Sequence, residues 1–277
     1  MNLPPSTRQH SISLGRSAVA RSVLAFGAAG LLAVGSFSSV YAASPSTAAT
    51  AAGGHRFCIP EWTAAIATPG IDKLRAAGDC EINRRFVTLD TLTRLVNTSD
   101  VLTADHKVDL RDMNTVNPAN YAAERAGLTA LKASIDGDTT LAALRTDVGK
   151  IAPDYRVYLL VVPKTHLVAA SDATAKAIAR FGPLSSELQT LINQAKADGK
   201  DVAAAQAALD DLNAKVAQAG GLNGPVAGSI LPLSPSDWNN GTAGPALTAA
   251  RSSIHQARGL LLDARKDAHR VIVLLGS

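Results

Sequence analysis

Asp105, His106, Asp109 and Asp112 form the densest cluster of side chains able to do metal or acid–base chemistry. His106 and Asp109 stand three apart, so a helix would put an imidazole and a carboxylate on one face as two candidate ligands. A zinc-type site needs a third ligand and usually a fourth, and the sequence names neither. Acids also suit the positive end of a helix. Asp105, His106 and Asp109 are therefore expected to be a weak polar cluster at a solvated helix start. Asp136-Gly137-Asp138 matches a fragment of a calcium loop but lacks the full spacing and the terminal Glu, and it suits a turn and a cap better. His255 and His269 lie 14 residues apart. That is roughly 21 Å along a helix, too far to share a metal. None of the six histidines stands in H-E-x-x-H, and no G-x-S-x-G, phosphate loop or dinucleotide fingerprint is present. Glu61, Glu81, Glu124 and Glu187 are the only glutamates, and nothing in their sequence surroundings marks one as a proton donor. No catalytic residue, metal ligand or cofactor is expected from these patterns.

Cys58 and Cys80 are the only cysteines. Residues 1–42 read as a signal peptide. Arg8, Arg16 and Arg21 give a basic start without acids, Ser22–Val34 is small and apolar, and Val40-Tyr41-Ala42 offers a cleavage site. Cleavage is expected after Ala42, with Ala43 as the second choice. The apolar run falls short of the roughly 20 residues of a spanning helix. Two cysteines in an exported chain point to one disulfide, Cys58–Cys80. The whole chain carries 27 Lys+Arg against 23 Asp+Glu, and with the three signal arginines removed 24 cations face 23 anions. No like-charge block is left to favour nucleic acid or an anionic membrane. No later stretch is long enough to span a bilayer, so the mature chain is expected to be secreted or extracytoplasmic with no membrane span.

The elements that would position these groups read as helices. Leu247, Ala250, Ile254, Ala257, Leu261, Ala264, Ala268, Val271 and Leu275 alternate steps of three and four, with charged residues between them. This heptad seam is the pattern of a helix packed lengthwise on another. Glu81–Asn97 carries a similar seam, and Thr103 can cap a short second helix that frays near Met113. Asn117-Pro118 reads as an N-cap followed by Pro at the first helical position. It would start a helix containing Leu128, Leu131 and Ile135. Leu141, Leu144, Val148 and Ile151 continue the spacing. Tyr155–Val162 has strand propensity, but helix is preferred, with a break at Pro163. A stretch from about Thr165 to Ala197 is expected to kink at Gly182-Pro183. It joins a returning helix from Val202 through Asp198-Gly199-Lys200-Asp201. The fold class expected is all-α: an elongated set of antiparallel helical hairpins forming a coiled-coil-like bundle. The division expected is a signal peptide at 1–42, a disordered leader at 43–54 and a helical domain at 55–277. A sub-boundary falls near 152–165, and a Pro/Gly/Asn connection covers 220–245.

Three segments carry a resemblance: Leu128–Ile135, Thr140–Val148, and Asp154 through Tyr155, Tyr158 and Pro163 to Leu167. Together they resemble Ala-rich exported helical proteins of high-GC bacteria, over most of residues 80–275. Met113–Asn120 is irregular for that group. The group has no assigned activity or catalytic residues, so the resemblance implies an exported helical protein and brings over no site. The expected role is structural or interaction-based: helix faces presented to a protein or envelope partner, or to a second copy of the chain. The alternatives are a small-ligand or ion-binding bundle and, third, an envelope-modifying enzyme.

Overall fold

Alanine-rich segments favour helix, and short polar side chains at their starts take up the first free backbone N–H groups. Thr103 Oγ1 accepts from the His106 N–H at 3.2 Å, and Asn120 Oδ1 from that of Ala123 at 2.8 Å. Thr140 Oγ1 does the same for Ala143 at 3.3 Å, and Ser234 with Asp237 forms a reciprocal capping box. The computed structural model describes residues 58–276, and among them every regular element is helical. The protein is all-α over this range. The order is α1 (Ile59–Ala67), α2 (Ile71–Thr98), α3 (Ala104–Arg111), α4 (Tyr121–Gly137) and α5 (Leu141–Asp154). A π-helical turn at Val157–Val161 leads into α6 (Val162–Ala179). Then follow α7 (Phe181–Ala197), α8 (Ala203–Asn223), α9 (Val226–Ile230), α10 (Pro235–Asn239) and α11 (Ala243–Gly276). The signal peptide expected at 1–42, its cleavage site at Ala42 or Ala43 and the leader at 43–54 lie outside the described residues.

Several elements differ from the sequence expectation. The Glu81–Asn97 helix starts ten residues earlier, at Ile71, and α1 precedes it. Asn117 does not cap α4. Its side chain turns back toward α3, donating to the Asp109 carbonyl at 3.1 Å, and Asn120 becomes the cap. The break near Pro163 precedes the proline. The amides of Leu160 and Val161 both reach the Arg156 carbonyl, and Pro163, which lacks an N–H, falls in the first turn of α6 where none is needed. Helix overrides the strand propensity of 155–162 because Val157, Leu160 and Val161 are buried against other helices. The 220–245 connection contains α9 and α10, and α8 continues through Gly220-Gly221. The expected tight turn at 198–201 and the turn after α10 each use a glycine at positive φ, Gly199 and Gly241 at +80° each.

Two apolar clusters fill the interior. The first gathers residues of α2, α4, α5, the start of α6, α9 and the first part of α11. The second gathers the end of α6, α7, α8 and the rest of α11. The α11 seam is buried from Leu247 to Val271, and only Leu275 is half-exposed. With 34 residues, α11 is roughly 51 Å long and belongs to both clusters. Gly78 lets α5 approach α2, since a Cβ there would stand 2.9 Å from Val148 Cγ2. The disulfide Cys58–Cys80 ties the start of α1 to α2, with the two Cα atoms 5.8 Å apart.

Candidate functional site

The seams carry charged residues at core positions. On α2 the buried series runs Gly78, Ile82, Arg85, Leu89, Leu92, Val96, and on α4 it runs Tyr121, Glu124, Leu128, Leu131, Ile135. Lys164 sits one turn into α6 between the buried Leu160 and Val168. Arg85, Glu124 and Lys164 thus occupy inward positions on three helices. Lys164 is fully buried, Glu124 is 4% exposed and Arg85 is 6% exposed.

Lys164 is well satisfied. Its Nζ donates to Asn117 Oδ1 at 2.7 Å and to the carbonyls of Leu231 and Leu233 at 3.0 and 2.5 Å. Asn117, expected as a cap, is instead the acceptor that the buried ammonium needs. Arg85 reaches Glu81 Oε2 at 2.8 Å and lies 5.3 Å from the Tyr158 ring centre. Tyr121 and Thr165 share a hydrogen bond of 2.6 Å beside this layer. Glu124 is the strained member. Its buried Oε2 has no hydrogen-bond partner among the described residues, and neither has Arg85 Nε. Burial pushes the Glu124 carboxyl up to about 7, against the pull of the Lys164 and Arg85 charges. Burial also drives the Lys164 ammonium down to about 7, with Glu124 and Asp237 opposing the change.

The cluster expected at Asp105, His106 and Asp109 is rearranged by a partner that sequence spacing could not name. His106 Nδ1 lies 2.8 Å from Asp172 Oδ1 on α6, and Asp172 Oδ2 accepts from the Thr103 N–H at 2.8 Å. The Asp172 hydrogen bond raises the His106 pKa, and the charges of Asp172, Asp109 and Asp105 add to the rise against burial. Asp112 turns to Arg111. Among the described residues no group of three His, Cys, Asp or Glu side chains could hold a metal ion. Asp136 pairs with Lys132, and Asp138 ends α4, its carbonyl accepting from Arg75. His255 and His269 are exposed on α11. No described helix is long and apolar enough to cross a membrane.

A separate concave surface lies between α1, α2 and α5. It encloses about 380 Å³ and is lined by Trp62, Ile66, Leu74, Leu141 and Val148, together with the small residues Ala65, Pro69, Gly70 and Gly149. Arg145 is the charged residue on its wall. Sequence reading missed both sites. The signal for the buried layer was present, since stepping back four and then three from Leu128 lands on Glu124 and Tyr121. The groove had none, because α1 itself was not foreseen. Comparison with protein-family models, with curated proteins and with solved structures finds no match to this chain.

Proposed function

We propose that this is an exported bacterial protein that works by non-covalent association, presenting helix faces to a partner in the cell envelope or extracellular space. The observation that carries this reading is the surface at residues 108–117. Val108, Met113 and Val116 are 45%, 68% and 48% exposed. The chain that bears them is held in shape. Asn114 Nδ2 donates to the carbonyls of Asp109 and Asp112 at 3.2 and 2.7 Å, and Asn114 Oδ1 accepts from the Asn117 N–H at 2.8 Å. Apolar side chains fixed on a helix end and the ordered loop after it suit recognition of another surface. The Cys58–Cys80 disulfide supports export, since such bridges persist in oxidising compartments.

The scaffold behind this surface is a set of antiparallel hairpins, coiled-coil-like along α11. Contacts that run in opposite senses support this. Lys200 reaches the Leu275 carbonyl while Lys215 pairs with Asp267, and Ser185 meets Asn213 while Gln189 meets Gln206. The test places a photo-crosslinking amino acid at Met113, and at the exposed Lys266 as control, in the producing cells. A discrete crosslinked species from Met113 and none from Lys266 is expected, and its peptides distinguish another protein from a second copy of the chain. No discrete species from Met113 overturns the reading.

A further inference from the structure

The groove between α1 and α5 is lined mostly by apolar atoms, yet it is open rather than packed. Its volume of about 380 Å³ falls in the range of small-molecule sites. α1 hangs from α2 by the disulfide at its start, and Trp62 packs on the first apolar cluster. The opposite wall belongs to α5, whose Leu141, Arg145, Val148 and Gly149 face α1 across the gap. Ile66 stands at the groove 74% exposed, an apolar side chain left in water beside an apolar hollow. At Gly149 an added Cβ would meet nothing within 4 Å, so the α5 wall leaves space that a side chain would take. Arg145 makes no hydrogen bond or ion pair with the described residues, although other surface cations such as Lys132, Lys150 and Arg125 are paired.

We infer that this groove binds a single-chain amphiphile with an anionic head, its tail between Trp62, Leu74 and Val148 and its head at Arg145. An alkyl chain gains by leaving water for such a wall. A carboxylate at the mouth suits a guanidinium with free donors, which can hold two oxygens at once. The groove's chemistry fits a monomeric amphiphile better than a bilayer, because a concave wall encloses one chain. The site is independent of the 108–117 surface, so failure of either leaves the other standing.

The test is calorimetric titration of the exported protein, disulfide intact, with decanoate below its micelle concentration and with decyltrimethylammonium, which has the same tail and the opposite head charge. Saturable one-to-one binding of decanoate is expected. Arg145→Gln should weaken it about five- to tenfold, the scale of one partly exposed charge contact. Gly149→Leu should abolish it with circular dichroism unchanged. Should Gly149→Leu fail to fold, Arg145→Gln at the exposed rim still decides. The inference is overturned by an absence of saturable decanoate binding, by binding of both amphiphiles with equal affinity, or by wild-type affinity in the variants. Binding to anionic vesicles without binding to decanoate overturns it too.

Discussion

Glu124 holds its proton more tightly in the folded chain than in the unfolded one, because burial opposes its charge. With the carboxyl moved from 4.5 to about 7, the folded state binds more protons between those values, and stability falls as pH rises through them. Lys164 acts with the opposite slope. Its ammonium moves from 10.5 to about 7, so the unfolded state binds more protons across that window and stability rises with pH there. Glu124→Gln keeps the shape and removes one titration. The difference between its urea midpoint and that of the wild type should change from pH 5 to pH 7 and level off above. A constant difference would mean that Glu124 ionises normally in the fold. At this scale the sequence displayed the positions and hid the consequences. Glu124 and Arg85 stand in phase with leucines and isoleucines, yet the seam reading passed over both. That Asn117 would serve Lys164, 47 residues on, or that Asp172 would claim His106 from α6, depends on how helices distant in sequence meet. Periodicity along one helix carries no such information.

Seams were the most legible elements. Every α11 residue from Leu247 to Val271 read as seam is buried, and Leu261 is only 1% exposed. Leu261→Asp should be at least as damaging as the ~2–5 kcal/mol of a buried Leu→Ala change, because the new charge has no partner in the seam. Arg265→Ala, on the exposed side of the same helix, should stay within about 0.5 kcal/mol. Urea unfolding followed at 222 nm checks both, and a wild-type midpoint for Leu261→Asp would show that the seam is not an interface. Boundaries were read less well, and the reasons are local. Asn117-Pro118 has the composition of a helix start, but Asn117's hydrogen bonds to Asp109 and Lys164 outcompete capping. Pro163 signalled a break, and the chain absorbs it two to six residues early as the π-turn at Val157–Val161. The helix at Ile59–Ala67 was missed because nine residues with one buried alanine show little periodicity.

Over residues 58–276 the molecule joins an α-helical fold to a single covalent tie, Cys58–Cys80, near the start of the described residues. Two cysteines and a basic, apolar leader were enough to anticipate the Cys58–Cys80 bridge, because pairing needs no knowledge of the fold when only one pairing exists. Intact-mass measurement on protein from the producing cells should give an N-terminus at Ala43 or Ser44 and a gain of two hydrogens on reduction. Reduction should lower stability by about 3 kcal/mol in the chain-entropy account. A chain that keeps Met1, or that shows two free thiols when freshly isolated, would contradict the export reading. The two apolar clusters were not separable in advance. Both use the same leucine–alanine repertoire, and both α6 and α11 contribute to each, so which residues join which cluster depends on how the helices meet.

The reach of α11 across both clusters sets the order in which the molecule can complete itself. Chains are made from the N-terminus, and Cys58 and Cys80 are 22 residues apart, so their bridge can close while most of the protein is still to come. The helix that completes both interiors is made after every other described element. Until it arrives, Leu188, Ile192 and Leu209 on one side and the α9 surface on the other lack their final cover. Before Ala243 is made, the growing chain therefore carries apolar surface in both clusters that only α11 covers, and a stop codon there would leave two unfinished cores rather than one shortened protein.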